Sequence, residues 1–117
     1  MNTLQTRAIE AVARFCDRKG YEILSTNWES PFGINADIVA CDDGTICFID
    51  VTVVTQKENG FSDNHIDRRS WELVAASWLT EHARENDFSI RFDYGDLIVL
   101  NNDKAFLRYR TNALSEG

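Results

Sequence analysis

Apolar residues recur at helical spacing at Leu4, Ala8, Ala11, Val12 and Phe15, with Arg7, Glu10, Arg14, Asp17 and Arg18 set between them. That period predicts an amphipathic helix with one buried stripe. Asn2 or Thr3 can cap it, and Gly20 stops it where a left-handed residue is favoured. From Tyr21 to Trp28 (YEILSTNW) the pattern changes to an imperfect alternation and predicts a strand. Glu29 to Asn35 is a connection holding the sole proline, Pro31, and Gly33. Two apolar runs follow, Ala36 to Cys41 and Thr45 to Thr55, the second rich in β-branched residues that suit a pleated surface. Asp42-Asp43-Gly44 between them is a turn signal, so the two runs predict a hairpin.

Beyond the hairpin, Gln56 to Asn64 (QKENGFSDN) is polar and predicts a surface loop. Asp63 or Asn64 can cap a second helix running to about Ala83, with Ile66, Leu73, Val74 and Trp78 as its stripe and Ser70 and Ser77 on the same side. Phe88 to Leu100 reads as a long strand or a hairpin, depending on whether Gly95 bends or breaks it. Ala105 to Tyr109 reads as a last short strand or helical turn, and Thr111 to Gly117 as a frayed tail. The order is helix, three strands, helix, then one or two strands. This is an α/β layout with helices packed on a mixed central sheet, and residues 1–117 fit a single domain.

Composition narrows the partners more than the fold. Twelve basic and 19 acidic residues give a formal charge of −7. Strong non-specific binding to DNA or RNA rests on neutralising phosphates, so this balance argues against it and leaves only a local basic face. No apolar run approaches the ~20 residues of a membrane helix, so no membrane partner is expected. MNTLQTRAIEAV lacks the basic-then-apolar pattern of a secretory signal. Cys16, Cys41 and Cys47 have no CxxC spacing and read as small hydrophobes of a reducing cytoplasm.

Each run of the hairpin carries one acid out of keeping with its neighbours: Asp37 near the start of the first, Asp50 in the middle of the second. A carboxylate on a buried strand is costly unless it is paired, hydrogen-bonded or bound to a metal. Two such acids on adjacent strands point to one shared site.

An acid in a short strand, a turn and an acid in a second strand resemble the PD-(D/E)XK pattern of restriction-endonuclease-like proteins. The chain is identified as similar to the YraN family, small bacterial proteins related to Holliday-junction resolvases. The residues that carry the resemblance are Gly20-Tyr21-Glu22-Ile23-Leu24, Asn27-Trp28, Ala36-Asp37-Ile38-Val39-Ala40, Phe48-Ile49-Asp50-Val51, Ala75 to Trp78-Leu79 and Arg91-Phe92-Asp93. It implies a restriction-endonuclease-like fold in which Asp37 and Asp50 hold Mg²⁺ or Mn²⁺ and a lysine two residues after the second acid activates water. The chain departs from that set. The lysine position is Thr52, the glutamate two residues before the first acid is Asn35, the helix acid falls on Ile9 with Glu10 beside it, and a following arginine falls on Val54.

Threonine carries no charge and is no base at neutral pH. The sequence therefore leads to a nuclease-related protein with a degraded active site, binding branched or single-stranded DNA weakly or serving a protein partner. Two other readings stand beside it. One is an active metal-dependent endonuclease or resolvase that uses Glu10 or a relocated lysine such as Lys57. The other is a protein-interaction module without a nucleic-acid role. Arg68 and Arg69 on the second helix are candidate phosphate contacts. Trp28, Trp71 and Trp78 read as packing residues, His65 as loop or cap, and His82 as a charge at a helix end.

Overall fold

A computed structural model describes residues 3–55, 66–82, 89–100 and 104–113. In chain order the elements are α1 (Thr3–Arg18), β1 (Glu22–Glu29), β2 (Asn35–Asp42), β3 (Thr45–Thr55), α2 (Arg68–Glu81), β4 (Ser89–Val99) and β5 (Ala105–Arg110). They form one five-stranded sheet in the order β1-β2-β3-β4-β5. The first three strands run antiparallel to one another, β3 and β4 are parallel, and β5 returns antiparallel on β4. A parallel pair needs a crossover, and α2 lies within the one between β3 and β4. This mixed sheet between two helices is a restriction-endonuclease-like α/β fold, and of the one or two strands expected after α2 it has two.

The β2–β3 hairpin closes at Asp43 and Gly44, both with positive φ (49° and 88°). That pair of angles suits the right-handed twist of the flanking strands, and it is why Asp-Gly works at this turn. Further along, β4 is a single strand and Gly95 does not break it. The reason for the glycine is α1: a Cβ at position 95 would lie 3.0 Å from Val12 Cγ1. Helix and strand close so tightly here that a side chain at 95 would require Val12 to shift by a few tenths of an ångström.

Two cores lie on the two faces of the sheet. On one, Ala8, Ile9, Val12 and Cys16 of α1 pack on Ile38, Ala40, Cys47, Ile49 and Val51. On the other, Trp71, Val74, Ala75 and Trp78 of α2 cover Val39, Ile46 and Phe48. Alternation along β2 and β3 sends successive residues to opposite cores. Both helix stripes are rotated from the expected ones. Leu4 and Leu73 are exposed, whereas Ile9, Cys16, Trp71 and Ala75 are buried. The α2 cap also differs. Asp67 accepts the Ser70 N–H at 2.8 Å, so the helix starts later than an Asp63 or Asn64 cap would allow; those two residues lie outside the described ones. Trp71 and Trp78 are packing residues as expected, Trp71 stacking on Tyr94 at 5.1 Å and Trp78 meeting Phe48 edge-on.

Cys16, Cys41 and Cys47 are free thiols. Burial pushes Cys16 up to about 11 and Cys47 up to about 12, with the Asp93 charge adding to both. Their thiolates are therefore scarce at neutral pH. A thiol reagent added to native protein at neutral pH should label Cys41, which is half-buried, and reach the other two only after denaturant; mass spectrometry of the labelled peptides checks this. The raised values also fix a sign. This part of the stability is complete below the unfolded thiol value and is lost as pH rises towards the folded one.

Candidate functional site

The site is a fork between β2 and β3. Their ladder ends at Ile38↔Ile49, although both strands continue. Asp37, the next residue of β2, turns its carboxylate across the opening, and Oδ2 accepts the Val51 N–H at 2.8 Å. A side chain thus takes a backbone donor that the diverging strand leaves behind. Asp50, directly before Val51, sits on the Phe48 side of β3, and its Oδ2 accepts the Ile66 N–H at 3.0 Å. That bond ties the lead-in of α2 to the fork. From the opposite face, Gln5 in the first turn of α1 donates to the Val51 carbonyl at 3.1 Å. The fork therefore joins Asp37, Asp50 and both helix N-termini.

Thr52 follows on the same side of β3 as Asp50. Its hydroxyl donates to Asp96 Oδ1 at 2.7 Å, across the register pair Thr52↔Asp96. Asp96 is fully buried. Its other oxygen takes Arg108 Nη2 at 2.6 Å and Arg108 Nε at 2.9 Å from β5, with Arg110 Nη2 at 3.5 Å. The position that a nuclease lysine would hold is thus a neutral hydroxyl engaged with a carboxylate that an arginine already neutralises.

Other expected residues lie apart. Glu10 is exposed on α1 and lines a groove with Thr6, Arg14, Thr26 and Asn27, on the far face of the sheet from Asp50. It stands about 7.5 Å along the helix from Gln5, at 1.5 Å per residue, and the structure does not bring it to the two acids. Ile9 and Val54 are core residues, and Asn35 donates its amide to Asn27 at 3.1 Å. Arg68 and Arg69 are exposed in the first turn of α2, two and three residues beyond the Ile66 amide that Asp50 holds. His82 caps α2, its Nδ1 lying 2.8 Å from the Trp78 carbonyl. Lys57 and His65 lie outside the described residues.

Gln5, Asp96, Arg108 and Arg110 are site residues that the sequence reading passed over. Asp96 had the same signal as Asp37 and Asp50, an acid opening the apolar run Leu97 to Leu100. Arg108 and Arg110 are two apart, which places both on one face once the segment is known to be a strand.

Two carboxylates are hard-oxygen donors of the kind Mg²⁺ and Mn²⁺ take. Each already gives an oxygen to a backbone N–H, and the Val51 carbonyl accepts Gln5. Among the described residues no group of three or more His, Cys, Asp or Glu side chains is placed to hold a metal ion. Two carboxylates alone would leave most positions of such a cation to water.

A sheet of this topology, with a helix on each face, is that of a restriction-endonuclease-like protein. Residues 9–97 match the family described as uncharacterised protein family UPF0102, and the chain belongs to that family, the YraN family of the resemblance above. A UPF0102 protein of Rhodopseudomonas palustris is 32% identical over 91 residues, covering 76% of this chain and 65% of the relative. One from Campylobacter jejuni is 32% identical over 97 residues, 80% of each chain. A third, from Caldicellulosiruptor bescii, is 27% identical over 88 residues, 73% of each. The chain thus spans just under two thirds of the first relative and four fifths of the second. No helix among the described residues is long and apolar enough to cross a membrane.

Proposed function

We propose that this is a nuclease-fold protein that binds nucleic acid weakly, in the cytoplasm, and does not cleave it efficiently. The observation that carries this reading is the Thr52–Asp96–Arg108 chain. A lysine two residues after Asp50 would place a positive charge and a proton-accepting group beside the scissile phosphate. Thr52 supplies neither, and its one proton is given to Asp96. Arg108 cannot act as a base, since a guanidinium does not lose its proton in proteins.

Asp37 and Asp50 are the residues that would hold Mg²⁺ or Mn²⁺. Such an ion supplies Lewis-acid activation of a water and of the phosphate. The protein's own part is positioning. Asp37 fixes β3 at Val51, Asp50 fixes the approach to α2, and Gln5 ties α1 to the same peptide unit. A fork held from both faces keeps its geometry while lacking the group that activates water. Branched or single-stranded DNA is the proposed ligand, with Arg68 and Arg69 at the mouth of the site, and a protein partner is the other use of such a scaffold.

A net charge of −7 sets the expected strength. Binding should be detectable at low salt and fall steeply as salt rises, because exposed charges are screened and counterion release weakens. Mobility shifts of branched, single-stranded and duplex DNA across a salt series test this. Tight binding that barely changes with salt contradicts the proposed surface, and absence of any binding at low salt favours the protein-interaction reading.

A further inference from the structure

The side of the sheet that carries Asp50 and Thr52 also carries Arg110, and its placement follows from register. Tyr94 of β4 pairs with Asp50 on β3 and with Arg110 on β5. Neighbouring strands are about 4.8 Å apart, so β3 and β5 are about 10 Å apart. All three side chains project to the same side. The Arg110 guanidinium lies over the Tyr94 ring, 4.8 Å from its centroid. A planar guanidinium on an aromatic face is held in place while its edge donors remain turned outward.

Of the two arginines on Asp96, Arg110 is the less engaged. Asp96 is satisfied by Arg108 at 2.6 and 2.9 Å and by Thr52 at 2.7 Å. Arg110 reaches the same carboxylate only at 3.5 Å and is 42% exposed, a distance at which little hydrogen bonding remains. Asp96 therefore faces two guanidiniums, and the second is presented to solvent on the side of the sheet that carries Asp50.

We infer that Arg110, stacked on Tyr94, is a phosphate-binding group of this site, and that it supplies from β5 the positive charge missing from position 52 of β3. Its ligand is a backbone phosphodiester of the bound nucleic acid. Arg108 is a positioning residue that neutralises Asp96 and so keeps Arg110 from being spent on it. The assignment rests on the nucleic-acid-binding reading above and adds the residue that meets the phosphate.

The test is the salt dependence of binding to a fluorescein-labelled duplex and a labelled single strand, followed by anisotropy for wild type, Arg110→Ala and Arg110→Lys. Each phosphate contact contributes about 0.9 to the log–log salt slope on duplex and about 0.7 on a single strand. Arg110→Ala should lower the slope by about that much, and Arg110→Lys should keep it. Its melting temperature should stay near wild type, since Arg108 and Thr52 still satisfy Asp96. Inorganic phosphate at matched ionic strength should not displace the duplex. Equal slopes for wild type and Arg110→Ala overturn the assignment while leaving the binding reading intact. Displacement by inorganic phosphate overturns the backbone as ligand, and no saturable binding by wild type at low salt overturns both.

Discussion

Asp93→Ala should destabilise the fold by about 3–5 kcal/mol, the range found when one partner of a buried ion pair is removed. Asp93 is fully buried on the α1 side of the sheet. Arg91 Nε and Nη2 donate to it at 3.0 and 3.1 Å, the Tyr109 hydroxyl at 2.6 Å and the Asn112 N–H at 2.8 Å. Arg91 also reaches Asp42 at 2.9 Å and the Tyr21 hydroxyl at 2.9 Å. The network thus links the start of β1, the β2–β3 turn, β4, β5 and the turn after it. Burial, then the Asp93 charge, pushes the Tyr109 phenol well above its ordinary value, so it stays a donor at all ordinary pH. Without the carboxylate, the Arg91 guanidinium, which is only 18% exposed, loses its buried counter-charge, and Tyr109 and the Asn112 amide each lose a strong acceptor. Typical domain stability is about 5–15 kcal/mol, so the loss is a large share of the total. Urea unfolding of wild type and Asp93→Ala measures it, with a midpoint drop of roughly 1–5 M at the slopes usual for small domains. A difference under about 1 kcal/mol would show that Asp93 is not the hub of this network.

Arg91-Phe92-Asp93 illustrates what the sequence could and could not yield. The tripeptide supported the family resemblance, and its alternation marked a strand. Nothing in it revealed that Arg91 and Asp93 fold back onto each other, because the pair depends on Tyr21, Asp42 and Tyr109 arriving from three other elements. The fork was legible for the opposite reason. Asp37 and Asp50 each stand out against their own strand, and the Asp43-Gly44 turn fixes how the two strands pair, so local signals sufficed. Helix stripes were read with an error of rotation. Val12 faces the core as its spacing predicts and packs on Gly95, with Ile9 and Cys16 buried beside it and Leu4 exposed. β5 was ambiguous because it is a short edge strand with no buried residue, and its alternation of Phe106, Arg108 and Arg110 is too brief to separate from a helical turn. With β5 open between strand and turn, the Asp96–Arg108 pair stays hidden, and with it the reason that Thr52 is not merely a lost lysine but part of a polar chain.

The largest kinetic expectation concerns that chain. Metal-assisted phosphodiester hydrolysis requires a water both placed and activated. General acid–base groups contribute typically about 10²- to 10⁴-fold, and a single preorganised charge-stabilising donor about 10²- to 10³-fold. The absence of lysine at position 52 should therefore hold cleavage at least that far below a complete nuclease site, and Asn35 and Ile9 remove further groups, though such losses need not multiply simply. Thr52→Lys alone should restore little. Its ammonium would enter beside the Asp96 carboxylate that Thr52 now touches at 2.7 Å, and an ion pair there would hold it away from the fork. Thr52→Lys with Asn35→Glu is the fairer reconstruction.

The most direct measurement compares wild type with Asp50→Ala on branched and linear DNA in Mg²⁺ and in Mn²⁺, using preparations free of host nuclease. The account predicts that neither protein cleaves above the metal-only control. Cleavage by wild type that disappears in Asp50→Ala would contradict it and establish an active endonuclease working without a lysine at position 52.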